Sequence, residues 1–139
     1  MARYVAALAL AIASLMSLPA TGLAAVLGGD QTVERTIDQN VAGNAETFQM
    51  TAIASGTAGT VSVYVDATST ASTLVAGIYA DNGGHPGTLL TQGSKAAPTG
   101  AAWNDVSVPP VAMISGATYW IGILAPSGTL KFRIKSAGK

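Results

Sequence analysis

The chain has no cysteine. Disulfide staples, thiol nucleophiles, thiolate metal sites and a lipid carried on cysteine are all excluded, so packing alone must stabilise the fold. Histidine occurs once, at His85 between Gly84 and Pro86. One histidine cannot build a zinc centre, which takes three or four ligands, most of them N or S. Nor does a nucleophile motif of the GxSxG kind accompany it, so His85 reads as an exposed turn residue. Charge is scarce as well. Seven basic and seven acidic residues in 139 leave no basic stripe, which argues against a nucleic-acid binder. The seven carboxylates (Asp30, Glu34, Asp38, Glu46, Asp66, Asp81 and Asp105) are scattered. A glycosidase needs two facing each other across about 5–10 Å in a cleft, and no spacing here pairs any two. The chain therefore reads as non-catalytic.

Long helical periodicity is also missing beyond the N-terminus. There, Met1-Ala2-Arg3 carries one positive charge and an uncharged apolar run extends from Tyr4 to Leu18. Pro19 and small residues follow, and Gly22-Leu23-Ala24 fits a small-x-small cleavage rule. Residues 1–25 read as a cleavable secretory signal peptide, with cleavage after Ala24 or Ala25. The run is shorter than the about 20 residues a membrane helix needs, so no span is expected after cleavage. The protein is expected to be secreted or held at a cell surface. LPATG at 18–22 matches a sortase signal, but it lies inside the leader and is read as chance. Without Arg3, six basic residues face seven acidic ones. Residues 26–139, about 115 in number, are enough for one domain with one core.

What the remainder does contain is alternation of period two, broken by Gly, Pro, Asn and Asp. Eight strands are predicted: Val26–Glu34, Glu46–Ala54, Gly59–Ala67, Thr73–Asp81, Gly87–Lys95, Trp103–Pro109, Ala117–Ala125 and Thr129–Lys135. Their rhythm is that of an all-β, antiparallel two-sheet sandwich of jelly-roll type. Val61, Val63 and Val65 are placed in the core, with Ser62, Tyr64 and Asp66 opposite. Phe132 and Ile134 face inward, with Lys131, Arg133 and Lys135 in solvent. Tyr119–Ala125 is apolar on both faces and marks a central strand. Gly77 and Gly122 inside strands suggest a large side chain, such as Trp103 or Trp120, lying over the backbone. Asp81-Asn82-Gly83-Gly84, Ser115-Gly116 and Ser127-Gly128 are turns, and Pro109-Pro110 is expected to close its strand.

The segments VSVYVD, LVAGIYADNGGHPGTLL, AWNDVSVP, GATYWIGIL and LKFR, in that order, resemble a jelly-roll domain of bacterial secreted and cell-surface proteins akin to carbohydrate-binding accessory modules. The resemblance runs from Val61 to Arg133. It implies glycan binding through exposed aromatics. It also implies continuation past LKFR, so that this chain reads as a short member or one truncated at its C-terminus. Tyr64, Tyr79 and Trp103 are the candidate ligand-binding residues, because flat rings stack on apolar sugar faces. The rings must also supply a core, so Trp120 is assigned inward and Trp103 leans the same way. Jelly-roll modules often carry structural calcium; Asp81 and Asn82 are its weak candidates, against a plain hairpin turn. No other cofactor is expected. Two further readings stand beside glycan binding. One is a structural or adhesive subunit that meets a surface protein through open sheet edges, and the other is a truncated accessory domain of a secreted enzyme.

Overall fold

The computed structural model describes residues 24–135; positions 1–23, with most of the expected signal peptide and the LPATG stretch, lie outside the described residues. Eight strands form: β1 Thr36–Val41, β2 Ala45–Thr51, β3 Gly56–Val65, β4 Thr73–Asp81, β5 Pro86–Ala96, β6 Ala102–Met113, β7 Thr118–Leu124 and β8 Thr129–Ile134. They build two four-stranded antiparallel sheets. Sheet A has the order β1-β8-β3-β6 and sheet B the order β2-β7-β4-β5, a strand order compatible with jelly-roll winding.

The core follows from the alternation. Val61, Val63 and Val65 of β3, Val106 of β6, and Leu130 and Phe132 of β8 are buried from sheet A. Leu74, Ala76 and Ile78 of β4 and Tyr119 and Ile123 of β7 meet them from sheet B. Each of the aliphatic side chains larger than alanine, and Phe132, contributes about 1.5–3 kcal/mol on leaving water. Phe48 of β2 packs edge-on against Phe132 of β8, centroids 5.8 Å apart, and so ties one sheet to the other. Tyr119 is buried with its hydroxyl accepting the Ile114 N–H at 3.0 Å.

Three expectations about strands are corrected. Val26–Glu34 is not a strand, and the first strand is Thr36–Val41 instead. Gly29 takes φ 90° and Asp30 accepts the Thr32 N–H at 2.8 Å, which turns the chain where extension was predicted. Pro109-Pro110 does not end its strand, since β6 runs on to Met113. Ser107 pairs with Thr60 and Val111 with Ala58, so Val108, Pro109 and Pro110 bulge opposite Gly59. Proline lacks an N–H for the ladder, and a bulge on an edge strand is where it is tolerated. Arg133 is not simply solvated. Its Nε and Nη2 donate to Asp66 Oδ2 at 3.0 and 2.6 Å, and its Nη1 donates to the Arg35 carbonyl at 2.9 Å. Asp66 is correspondingly buried although it follows β3 on the outer face.

The two long sides of the sandwich differ. At one side β5 and β6, the edges of opposite sheets, touch. A Cβ placed on Gly93 of β5 would lie 1.9 Å from the Ser107 carbonyl oxygen of β6, and Thr91 Oγ1 donates to the Pro109 carbonyl at 2.7 Å. At the other side β1 and β2 are joined by a tight turn at Gly43, φ 81°, with little backbone approach beyond it. Here the inner face of β1 is polar. Asp38 and Asn40 share the face of their β8 partners Phe132 and Leu130, while Ile37 and Val41 point outward and are about half exposed.

Candidate functional site

Strand register decides which aromatics meet. On β3 and β6, Tyr64 is directly opposite Trp103 and Ser62 is opposite Asp105. Residues opposite one another in an antiparallel pair share a face. Val63 and Asn104 between them point inward, so Tyr64, Trp103, Ser62 and Asp105 all lie on the outer face of sheet A. The two rings stand edge to face, centroids 5.6 Å apart and planes at 79°. Trp103 is 41% exposed and Tyr64 is half-buried; the inward assignment for Trp103 is overturned. Two residues along, the Ser62 hydroxyl donates to Asp105 Oδ1.

The ring of Trp103 owes its position to the backbone beneath it. The β5–β6 connection carries two non-glycine residues with positive φ, Ala97 at 47° and Ala101 at 55°. Asn104, 1% exposed, holds that loop. Its Oδ1 accepts the Thr99 N–H at 2.8 Å, and its Nδ2 donates to the Thr99 and Ala102 carbonyls at 2.9 and 3.0 Å. Every polar atom of the amide except one lone pair is used, as burial requires. The loop is thereby fixed to the strand residue next to Trp103.

Tyr79 is not part of this cluster. It is on β4 of sheet B, opposite Trp120 of β7, on the outer face of the other sheet. Trp120 also faces outward, contrary to the assignment of this ring to the core; Tyr119, Ile121 and Ile123 supply the inward face of β7. An apolar run such as YWIGIL hides its facing, and only the pairing of Gly77 with Gly122 explains it. A Cβ on Gly122 would lie 2.7 Å from Tyr79 Cε2, and one on Gly77 would lie 3.1 Å from Leu89 Cδ1. The residues over the glycines are thus Tyr79 and Leu89, not Trp103 or Trp120. The result is a shallow dent between Tyr79, Val75, Gln92 and Leu124.

Asp81 serves Trp120. Its Oδ1 accepts the indole N–H at 2.8 Å and its Oδ2 accepts the Gly84 N–H at 3.2 Å. Trp120 first, then Gly84, hold the carboxyl below the usual carboxylate range. Gly83 and Gly84 take φ 63° and 84°, Asn82 N–H donates to the His85 carbonyl at 2.8 Å, and His85 is exposed. Asp81 and Asn82 therefore form a braced hairpin turn. Among the described residues no three His, Cys, Asp or Glu side chains gather as a metal-ion site, and no helix is long and apolar enough to cross a membrane.

Of the three predicted aromatics, then, the fold joins Tyr64 and Trp103 and separates Tyr79 from them. The sequence reading missed Trp120 as Tyr79's neighbour, and it missed Asp105 and Ser62 beside the Tyr64–Trp103 pair. Comparison with protein families, curated proteins and solved structures finds no match to this chain.

Proposed function

We propose that this is an exported, non-catalytic module that binds a glycan on the outer face of sheet A. The observation that carries the reading is the Tyr64–Trp103 pair. Its edge-to-face geometry buttresses the two rings against each other while Trp103 stays substantially exposed, and an exposed indole is suited to a single pyranose whose axial C–H groups stack on it. Asp105 and Ser62, two residues along the same strands, supply an acceptor and a hydroxyl for the sugar's own hydroxyls. A rigid floor supports this, since Tyr64 and Trp103 lie on paired strands rather than on a loop. The resemblance to carbohydrate-binding accessory modules points to the same ligand class.

A glycan array probed with residues 26–139 tests the reading. Binding that falls at least tenfold in Trp103→Ala and Tyr64→Ala, with circular dichroism unchanged, is the expected result. Absence of any glycan signal would overturn it. A signal lost instead in Tyr79→Ala would move the site to sheet B and overturn the assignment to Trp103.

A further inference from the structure

We propose that the site on sheet A is selective for acidic sugars, the ring stacking on Trp103 and the negative group lying over β8 between Lys131 and Arg133. This selectivity presupposes that the outer face of sheet A binds a glycan, as proposed above. Cations are unevenly placed in the sandwich. In sheet B only β5 carries one, Lys95. It pairs with buried Leu74 and so takes the inward phase. In sheet A, β1, β3 and β6 carry none. β8 carries Lys131 and Arg133, and Lys135 follows it directly. Leu130 and Phe132 are buried, so the positions alternating with them face outward.

Register brings these cations to the aromatics. Val65 of β3 pairs with Phe132 of β8, and the Asp66 N–H donates to the Lys131 carbonyl at 2.8 Å. One antiparallel step the other way sets Tyr64 beside Arg133, on the face that Tyr64 shares with Trp103. Lys131 is then the diagonal neighbour of Tyr64, a separation that a long side chain bridges. Since β8, β3 and β6 are adjacent in the sheet, Arg133, Tyr64 and Trp103 form one row across it. Two strand spacings make that row about 10 Å long, room for a ring on the indole and a charged substituent over β8.

The cations differ in how they are held. Arg133 is fixed by Asp66 and by the Arg35 carbonyl, which leaves one N–H on each Nη free. Its side chain stays 26% exposed, so those two donors are open to a ligand. Lys131 has no ion pair among the described residues, and its charge is the uncompensated one beside the row. Lys135 is less available, because it lies near Asp30, a carboxyl held below the usual range by Thr32 first and by Lys135 last. At the other end of the row the sign reverses. Asp105 is two residues from Trp103 on β6 and accepts the Ser62 hydroxyl. An acid placed there meets a carboxylate, whereas over β8 it meets a free ammonium and a preset guanidinium. A sugar stacked on Trp103 is therefore oriented with its acid toward β8. The outer face of sheet B has no such end, since its Tyr79–Trp120 pair has Asp81 beside it.

An array of neutral oligosaccharides beside their uronate-bearing and sulfated counterparts, probed with residues 26–139, tests the selectivity. Acidic members should bind about tenfold tighter than neutral ones in about 50 mM NaCl, and the advantage should shrink in about 0.5 M NaCl because salt screens exposed charges. Lys131→Gln should weaken acidic binding about fivefold with an unchanged circular dichroism spectrum, and Lys131→Arg should keep it, since either cation supplies the charge. Lys95→Gln, in the other sheet, should change neither class. Whether uronate or sulfate binds more tightly identifies the anion, and either result supports the acidic class. Equal affinity for neutral and acidic members, lost in Trp103→Ala, would overturn the selectivity and leave the glycan reading standing. An acidic preference untouched by Lys131→Gln would overturn the seat over β8. Silence across the whole array would overturn the glycan reading, and the selectivity with it.

Discussion

The two long sides of the sandwich close by different means. Where β5 meets β6, backbone approaches backbone. Gly93 leaves no room for a methyl beside the Ser107 carbonyl, and the Thr91 hydroxyl reaches across to Pro109. Where β1 meets β2, side chains fill the gap, and they are polar. The Asn40 amide, its nitrogen turned toward β2, donates to Glu46 Oε2 at 3.1 Å. Desolvation first, and the nearby Asp38 second, push the Glu46 carboxyl above its ordinary range. One seam is therefore specified by shape and tolerates nothing added. The other is specified by weak polar contacts and carries a mild electrostatic strain.

Substitutions sort by seam. The largest effect is expected at Gly93→Ala, where the new Cβ meets backbone that cannot rotate away. A loss of about 3 kcal/mol, read from urea unfolding, follows from overpacking of this kind. The matched change at the open seam, Gly43→Ala, meets nothing within 4 Å and should cost only the about 1 kcal/mol of a left-handed φ. If both variants lose equally, the seams do not differ in the way described. Next in size is Asn104→Ala. It removes the partner of the Thr99 N–H and of the Thr99 and Ala102 carbonyls and empties a buried side-chain site, which should cost about 1–2 kcal/mol. It should also broaden the Trp103 fluorescence response to quencher, because the loop next to that ring is no longer held.

The smallest effects come from the acids, and they run in opposite directions. Asp66 is held down to about 2 by the Thr68 N–H and hydroxyl and then by Arg133. A depressed carboxylate contributes stability above its unfolded value of 3.8, and that contribution is lost as the pH falls through about 2. Glu46 is raised, so its contribution is fully present below 4.5 and is lost as the pH rises through the folded-state value. Glu46→Gln should therefore raise the urea midpoint slightly at pH 7 and leave it unchanged at pH 3. Asp66→Asn should lower the midpoint at pH 7 and flatten the acid limb below pH 4. Equal responses at both pH values would remove the strain assigned to the open seam.

The same contrast explains what could be read from the sequence. Strands whose valines alternate, such as Val61–Val65, or whose bounds are marked by turns, such as Thr73–Asp81, were legible because burial imposes period two on them. β1 was not legible. Its aliphatic Ile37 and Val41 face water while Asp38 and Asn40 face inward, so the pattern that marks a strand is inverted at an open seam. The prolines of β6 misled for a related reason, because a bulge can house what a regular ladder cannot. For the candidate site, Tyr64 was recognisable as outward from its own strand. Its meeting with Trp103 was not, since strand pairing between positions this far apart in the chain is a tertiary fact. Trp120 was misassigned because an apolar run gives no facing; the signal that resolves it is the cross-strand Gly77–Gly122 pair, which seats Tyr79 against β7.

The place of β8 has a consequence in time. It is the last strand of the eight, yet it lies between β1 and β3, and β1 pairs with no other strand of its sheet. The first strand must therefore wait, unpaired, until the last has been delivered. Loop closure over such a span is slow, and sheets dominated by distant pairings fold late. Assembly of sheet A around β1 is thereby coupled to the arrival of β8, so commitment to the folded state waits for the last of the eight strands.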